Sequence, residues 1–180
     1  NYAEITKDIA ILIQGFDHAA IKVIVTRGAG KRGYSAASAT SPQCMVGIEA
    51  TIPSPSIFYT EGINARICDS IISSNPALAG LKSLNRLEQV LARSEWSKPA
   101  IKEGLMVNSE GHLICGTMSN LFVVLDDVLL TPDLSACGIH GLMRQRLIDS
   151  CMSVGITVSQ TIITRDMLNQ ASEVLLTNSL

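Results

Sequence analysis

The sequence predicts a mixed α+β and α/β protein in two parts, a small α+β part followed by a larger β-rich α/β part. Two observations predict it. Short runs rich in β-branched residues, such as Ala20-Ile21-Lys22-Val23-Ile24-Val25-Thr26, recur along the chain between helical patterns. Ile52-Pro53-Ser54-Pro55-Ser56 is the strongest break in the chain. Residues 1–52 are therefore expected to form part of a small α+β domain, residues 53–60 a linker, and residues 61–180 the larger domain. No internal repeat or low-complexity segment appears.

Taken in order, Ile5, Ile9, Leu12 and Ile13 recur at the spacing of one helical face, with Lys7 on the opposite side. Residues 20–26 alternate as a strand does. Arg27-Gly28-Ala29-Gly30-Lys31-Arg32-Gly33-Tyr34 then gives a literal G-x-G-x-x-G. A dinucleotide site needs a helix at the last glycine to hold a pyrophosphate. Residues 35–42 lack apolar periodicity and end at Pro42, so a glycine-rich loop between two strands is the better expectation. The second strand spans residues 43–51, and the pair is expected to be antiparallel.

Beyond the linker, residues 63–72 read as a strand and Ser73-Ser74-Asn75-Pro76 as a turn. Gly80 ends what precedes it, and Leu84, Leu87, Val90 and Leu91 recur at helical spacing. Lys82 is expected at the mouth of that helix, among Leu81 and Leu84, in company that keeps it dry. A dry lysine loses affinity for its proton and becomes a nucleophile or Schiff-base former. The same pattern also describes a surface lysine opening an amphipathic helix. Asn108-Ser109-Glu110-Gly111-His112 marks a hairpin turn between strands. Residues 116–125 run from a polar loop into an apolar strand, and Asp126-Asp127 turns the chain back into residues 128–131. Gly141 opens a helix, residues 155–158 form a short strand, and residues 173–177 form the last one.

Composition narrows the function. Of 180 residues 47% are hydrophobic, enough for a sizeable core, and the formal charge of −2 offers no basic block for nucleic acid or membrane. Aromatics are 4%, too few for base-stacking surfaces. Cys44, Cys68, Cys115, Cys137 and Cys151 are odd in number and form no CxxC pair, which suits a reducing cytoplasm and neither a disulfide framework nor zinc. His18, His112 and His140 do not stand at metal spacing, so no metal is expected. No apolar run is long enough to span a bilayer, and no signal peptide opens the chain. Both ends look like cuts through structure, because Asn1 opens directly on a helical pattern and Leu180 follows a strand-like run.

Four stretches taken together resemble the fold-type IV pyridoxal-phosphate enzymes, the class IV aminotransferase-like group that holds branched-chain and D-amino-acid aminotransferases and aminodeoxychorismate lyase. They are Arg27-Gly-Ala-Gly-Lys-Arg-Gly-Tyr34, Leu78-Ala-Gly-Leu-Lys-Ser-Leu-Asn-Arg-Leu-Glu-Gln89, Gly116-Thr-Met-Ser-Asn-Leu-Phe122 and Gly141-Leu-Met-Arg144. Within the group the pattern is most similar to aminodeoxychorismate lyase, and the resemblance covers essentially the whole chain. It implies a two-domain D-amino-acid-aminotransferase-like fold lacking its opening part and closing strands. It makes residues 61–180 the cofactor-binding domain, with the cofactor cleft between domains.

The resemblance implies pyridoxal 5′-phosphate as cofactor and Lys82 as the catalytic lysine that holds it as a Schiff base. Asn85 and Arg86 follow and should face the pocket edge. Gly141, Leu142 and Met143 open a helix whose free amides and dipole favour a phosphate. The family places the phosphate there and on a hydroxyl after the last strand, where Thr177, Asn178 and Ser179 stand, Ser179 matching best. An ordinary turn and a plain helix start explain those two segments equally. Arg27 matches a substrate-binding arginine that traps a carboxylate from the neighbouring subunit, with a loop charge as the other explanation; Arg32 and Tyr34 are weaker candidates of the same kind. Cys115 stands where many members carry a glutamate that pairs with the pyridine nitrogen. A neutral thiol is a poor partner for a pyridinium, although Cys115 also reads as a small core residue.

The activity implied is the conversion of 4-amino-4-deoxychorismate to 4-aminobenzoate and pyruvate, a step towards folate, by a cytoplasmic homodimer. Its partner is a small molecule, with no nucleic acid or membrane. An aminotransferase on the same fold and a catalytically incompetent fragment are the alternatives.

Overall fold

A computed structural model describes residues 2–180. The chain divides into two compact units, one running to Ser56 and including Leu180, the other Ile57–Ser179.

In the first unit, helix α1 (Tyr2–Leu12) precedes the antiparallel strands β1 (Ala19–Thr26) and β2 (Gln43–Ala50). Their register is unbroken, from Ala19 opposite Ala50 to Thr26 opposite Gln43. The loop between them holds one 3₁₀ turn, Ala36–Ser38, capped by the Ser35 hydroxyl, which accepts from the Ala37 amide at 3.4 Å. No helix starts at Gly33, so the G-x-G-x-x-G lacks the anion-binding helix end a dinucleotide needs. Gly28 and Gly33 take positive φ, as a loop turning between strands requires.

The second unit is built on a seven-stranded mixed sheet. A single helical turn, α2 (Ile57–Thr60), leads into β3 (Asn64–Ile71). The remaining strands are β4 (Ile101–Val107), β5 (Leu113–Gly116), β6 (Asn120–Leu125), β7 (Val128–Pro132), β8 (Val158–Thr161) and β9 (Glu173–Thr177). The order is β3-β4-β5-β6-β7-β8, and β9 pairs with β6. The hairpin turns fall where the short polar pairs stand: Asp126 and Asp127 both take positive φ, the conformation a two-residue hairpin demands. Helices α3 (Leu87–Arg93), α4 (Leu142–Ser153) and α5 (Arg165–Gln170) connect the strands. The core collects along β4, β5 and β6, with Met106, Leu113, Leu121, Phe122 and Val123 fully buried. Among the described residues no helix is long and apolar enough to cross a membrane.

Three expectations are corrected. The helix after Gly80 begins at Leu87, not near Lys82, because the Ser83 hydroxyl accepts from the Asn85 amide at 3.3 Å and holds a local turn that competes with the helix. Leu81, Leu84 and Lys82 are consequently all exposed, so Lys82 is not kept dry by its sequence neighbours. The strand placed at residues 155–158 lies instead at Val158–Thr161, because Gly155 takes φ +81 and completes the end of α4.

Candidate functional site

The site grows from Gly80. Its φ of +81 lets the chain cross beside residues 138–140: the Gly80 amide donates to the Gly138 carbonyl at 3.0 Å, and its carbonyl accepts from the His140 amide at 3.1 Å. Two residues later comes Lys82. One residue after His140, Gly141 caps α4. The tie at Gly80 thus places the lysine next to a helix N-terminus by backbone bonds alone.

That helix end has no side-chain cap. Gly141 offers no side chain to cap α4, and no acidic residue stands in the first turn. The leading amides of a helix have no partner within it, and the dipole adds partial positive charge. A buried arginine sets the helix in place: Arg144 Nε donates to Thr131 Oγ1 at 3.1 Å, and Nη2 donates to the Pro132 carbonyl at 2.9 Å and to Gln160 Oε1 at 3.0 Å. Burial pulls the Arg144 guanidinium below its ordinary range, opposed by Asp133; an arginine still keeps its charge there.

Asn120 links three parts. It opens β6, pairs across the ladder with both Cys115 and Thr177, and donates from Nδ2 to the Ile139 carbonyl at 2.8 Å. Its Oδ1 fills the space a side chain at position 141 would need, 2.0 Å from an ideal Cβ there. Gly141→Ala therefore has to push Asn120 off Ile139 and shift the helix mouth. We expect a Gly141→Ala protein to fold but to bind phosphate-bearing ligands at least about tenfold more weakly, a change of ~1.4 kcal/mol read by isothermal titration.

Opposite this mouth, residues 116–119 form a loop shaped by Glu103, which is 5% exposed. Its Oε1 accepts from the Gly104 amide at 2.9 Å, the Thr117 amide at 3.0 Å and the Thr117 hydroxyl; Oε2 accepts from the Ser119 hydroxyl at 2.8 Å and the Met118 amide at 3.4 Å. A third wall comes from α3 and its flanks, where Arg86, Gln89, Val90 and Arg93 recur at one-face spacing. Arg93 lies over the Trp96 ring at 4.6 Å and donates from Nη1 to the Trp96 carbonyl at 2.9 Å.

These walls enclose a cavity of about 710 Å³, within the range of about 300–1,000 Å³ usual for small-molecule sites. Lys82, Arg86, Cys115, Gly141, Leu142, Met143, Asn178 and Ser179 all line it, with Gln89, Arg93, Thr117, Asn120, His140 and Thr177. Asn85 is not among the lining residues. Arg27 belongs to the other unit, where it stands exposed after β1. Arg86 Nε, Gln89 Oε1 and Thr177 Oγ1 are buried polar atoms without a hydrogen-bond partner, and all three residues line the cavity. Buried groups left unpaired are costly, so three orphans around one cavity, two on the α3 side and one at the end of β9, are suited to a polar ligand. Cys115 is buried, and burial pushes its thiol up to about 12, with Cys137 and Glu103 adding to the rise and Arg86 opposing it.

The residues present suit pyridoxal phosphate: one cavity is lined by the Lys82 amine, the N-terminus of α4, a hydroxyl without a partner at Thr177, and Arg86 and Arg93, with no carboxylate among the described lining residues. Sequence reasoning missed Glu103, Gln89 and Arg93. The last two were legible as the i+3 and i+7 partners of Arg86 on one helical face; Glu103 left no signal, since its role depends on a loop folding back over it.

The family model of amino-transferase class IV matches residues 1–180. Aminodeoxychorismate lyase of Vibrio harveyi is 34% identical over 165 residues, which are 91% of this chain and 60% of that protein. The crystal structure of 4-amino-4-deoxychorismate lyase from Pseudomonas aeruginosa superposes with a TM-score of 0.91 at 36% identity, covering 98% of this chain and 66% of that one. A putative branched-chain-amino-acid aminotransferase of Methanocaldococcus jannaschii is 29% identical, over 88% of this chain and 54% of its own length. The chain thus spans less than two thirds of these relatives.

Proposed function

This chain belongs to the amino-transferase class IV family, and from that premise we propose that it carries the catalytic lysine of a pyridoxal-phosphate lyase converting 4-amino-4-deoxychorismate to 4-aminobenzoate and pyruvate. The observation that carries the proposal is the convergence of Lys82, the uncapped start of α4 and the orphaned Thr177 Oγ1 on one cavity. The likeness to two lyases of that name supports it.

In this reading Lys82 Nζ holds the cofactor's aldehyde carbon. The amides at Gly141, Leu142 and Met143, with Thr177, Asn178 and Ser179, hold its phosphate. When bound, pyridoxal phosphate supplies an electron sink for charge developing at the substrate's amine-bearing carbon. Lys82 Nζ would be the base that takes the proton from that carbon. The C–O bond to the enolpyruvyl group then breaks, the ring becomes aromatic, and the departing group is protonated to pyruvate. Arg86 and Arg93 present guanidinium donors to the substrate's carboxylates, which they fit in paired geometry. Residues 61–180 then form the cofactor domain, residues 1–52 part of the small domain and residues 53–60 the linker. Arg27 serves a neighbouring subunit of a homodimer, and in the other unit the exposed Leu84, Leu87 and Leu91 support a subunit contact. The five free cysteines support a cytoplasmic setting.

The test is product analysis with pyridoxal phosphate present. The lyase reading expects 4-aminobenzoate and pyruvate in equal amounts from aminodeoxychorismate. Conversion of bound cofactor to its amine form by ordinary amino acids, without aminobenzoate, would establish the aminotransferase reading instead. Failure to take up the cofactor would leave a fold without a competent site.

A further inference from the structure

We propose that the ring nitrogen of pyridoxal phosphate bound in this cavity is unprotonated at neutral pH, because the wall around it carries cations and no carboxylate. The inference rests on the cofactor reading above. It follows from the composition of the lining and holds for any orientation of the ring.

Among the described residues that line the cavity there is no aspartate or glutamate. The segment 80–82 supplies Lys82; α3 and its flanks supply Arg86, Gln89, Arg93 and Ser94; β5 and the loop after it supply Cys115, Thr117, Met118 and Ser119. The turn before α4 supplies His140, and the end of β9 supplies Thr177, Asn178 and Ser179. A pyridinium gains stability from an adjacent anion and loses it beside like charge. Here it would share a cavity with the guanidinium groups of Arg86 and Arg93.

The nearest acids are spent elsewhere. Glu103 lies behind the 116–119 loop with five donors on its two oxygens. Glu88 Oε1 accepts from the Ser73 amide at 3.0 Å and does not line the cavity. Cys115 stands at the position that the family resemblance pairs with the ring nitrogen, and its burial keeps the thiol neutral. A neutral thiol donates weakly and leaves the nitrogen lone pair in place.

The consequence is a weaker electron sink. Elimination with aromatisation supplies its own driving force and tolerates that loss. Full amino-group exchange depends on the sink in both directions and is slowed. The cavity thereby selects one reaction of the shared cofactor over the other.

The test is ¹⁵N NMR of the purified protein reconstituted with pyridoxal phosphate labelled at the ring nitrogen, recorded across neutral pH. The expected resonance lies at the neutral-pyridine position and does not move. Cys115→Glu is expected to displace it towards the pyridinium position and to raise the rate of amino-group exchange with ordinary amino acids. Cofactor bound with a pyridinium resonance in the unaltered protein overturns this inference alone. An unmoved resonance in a folded Cys115→Glu protein overturns the stated cause. No cofactor uptake by the unaltered protein overturns the cofactor reading and this inference with it. The measurement on the unaltered protein decides the protonation state even where the variant does not fold.

Discussion

Lys82→Ala is expected to abolish turnover while leaving the fold intact. Lys82 is exposed and lies outside any helix or strand, so its loss changes stability by no more than about 0.5 kcal/mol, as for surface positions away from special features. The chemistry has no such reserve. Removing a positioned general base alone slows a reaction by about 10²–10⁴-fold, and in the proposed function Lys82 also holds the cofactor. Two measurements separate the roles. The visible absorbance of lysine-bound pyridoxal is expected to vanish, while phosphate-end binding at α4 retains part of the cofactor affinity. Small primary amines added to the variant should restore part of the rate, since they return a base without restoring the tether. A variant that keeps both the absorbance band and the rate would refute the role of Lys82 and move the search to another amine.

How Lys82 comes to matter was only partly legible in the sequence. Residues 78–89 pointed to it through resemblance, and the local expectation of a dry lysine failed. The leucines beside it face outward because the Ser83 turn delays the helix to Leu87. What gives Lys82 its setting is non-local: two backbone bonds from Gly80 to residues 138 and 140, nearly sixty positions away. Elements set by local chemistry were legible. Asp126-Asp127 forces a hairpin by its backbone conformation, and Asn108–His112 closes another with the Asn108 side chain accepting from the His112 amide at 2.9 Å. Helix α5 was legible but unread: Thr164 caps it, accepting from the Met167 amide at 3.2 Å. Arg144 was not. As a polar residue on a helix it predicts solvent, and only the fold shows it 2% exposed with Thr131, Pro132 and Gln160 around it. The site residues divide the same way. Those carried on motifs could be named beforehand, whereas the carboxylate that shapes their loop could not.

That carboxylate yields the largest expected effect on stability. Glu103→Ala takes the acceptor from the amides of Gly104 and Met118 and from the hydroxyls of Thr117 and Ser119, while the Thr117 amide keeps the Gly104 carbonyl at 3.0 Å. Each buried donor stripped of its partner costs about 1–3 kcal/mol. Water entering the vacated space recovers part of this, so a net loss of about 3–5 kcal/mol is expected, comparable to breaking a buried ion pair. The fall should appear as a lower denaturant midpoint at unchanged slope, the signature of a stability change in a protein that still unfolds as one unit. Glu103→Gln keeps one carbonyl acceptor but turns an NH₂ towards donors. The two hydroxyls can rotate to accept from it, whereas the amides cannot. It should therefore lose about half as much, on the order of 2 kcal/mol. The functional consequence separates support from chemistry. Gly116 has no room to adjust, since a Cβ there would stand 2.1 Å from Ser119 Oγ and 2.8 Å from Glu103 Cδ. Releasing the loop therefore loosens the wall at Thr117 and Ser119 and weakens cofactor binding, while the Lys82 absorbance persists at saturating cofactor. A Glu103→Ala protein as stable as its parent, or one that loses the Lys82 absorbance at saturation, would show that the carboxylate does not hold the loop or does more than hold it.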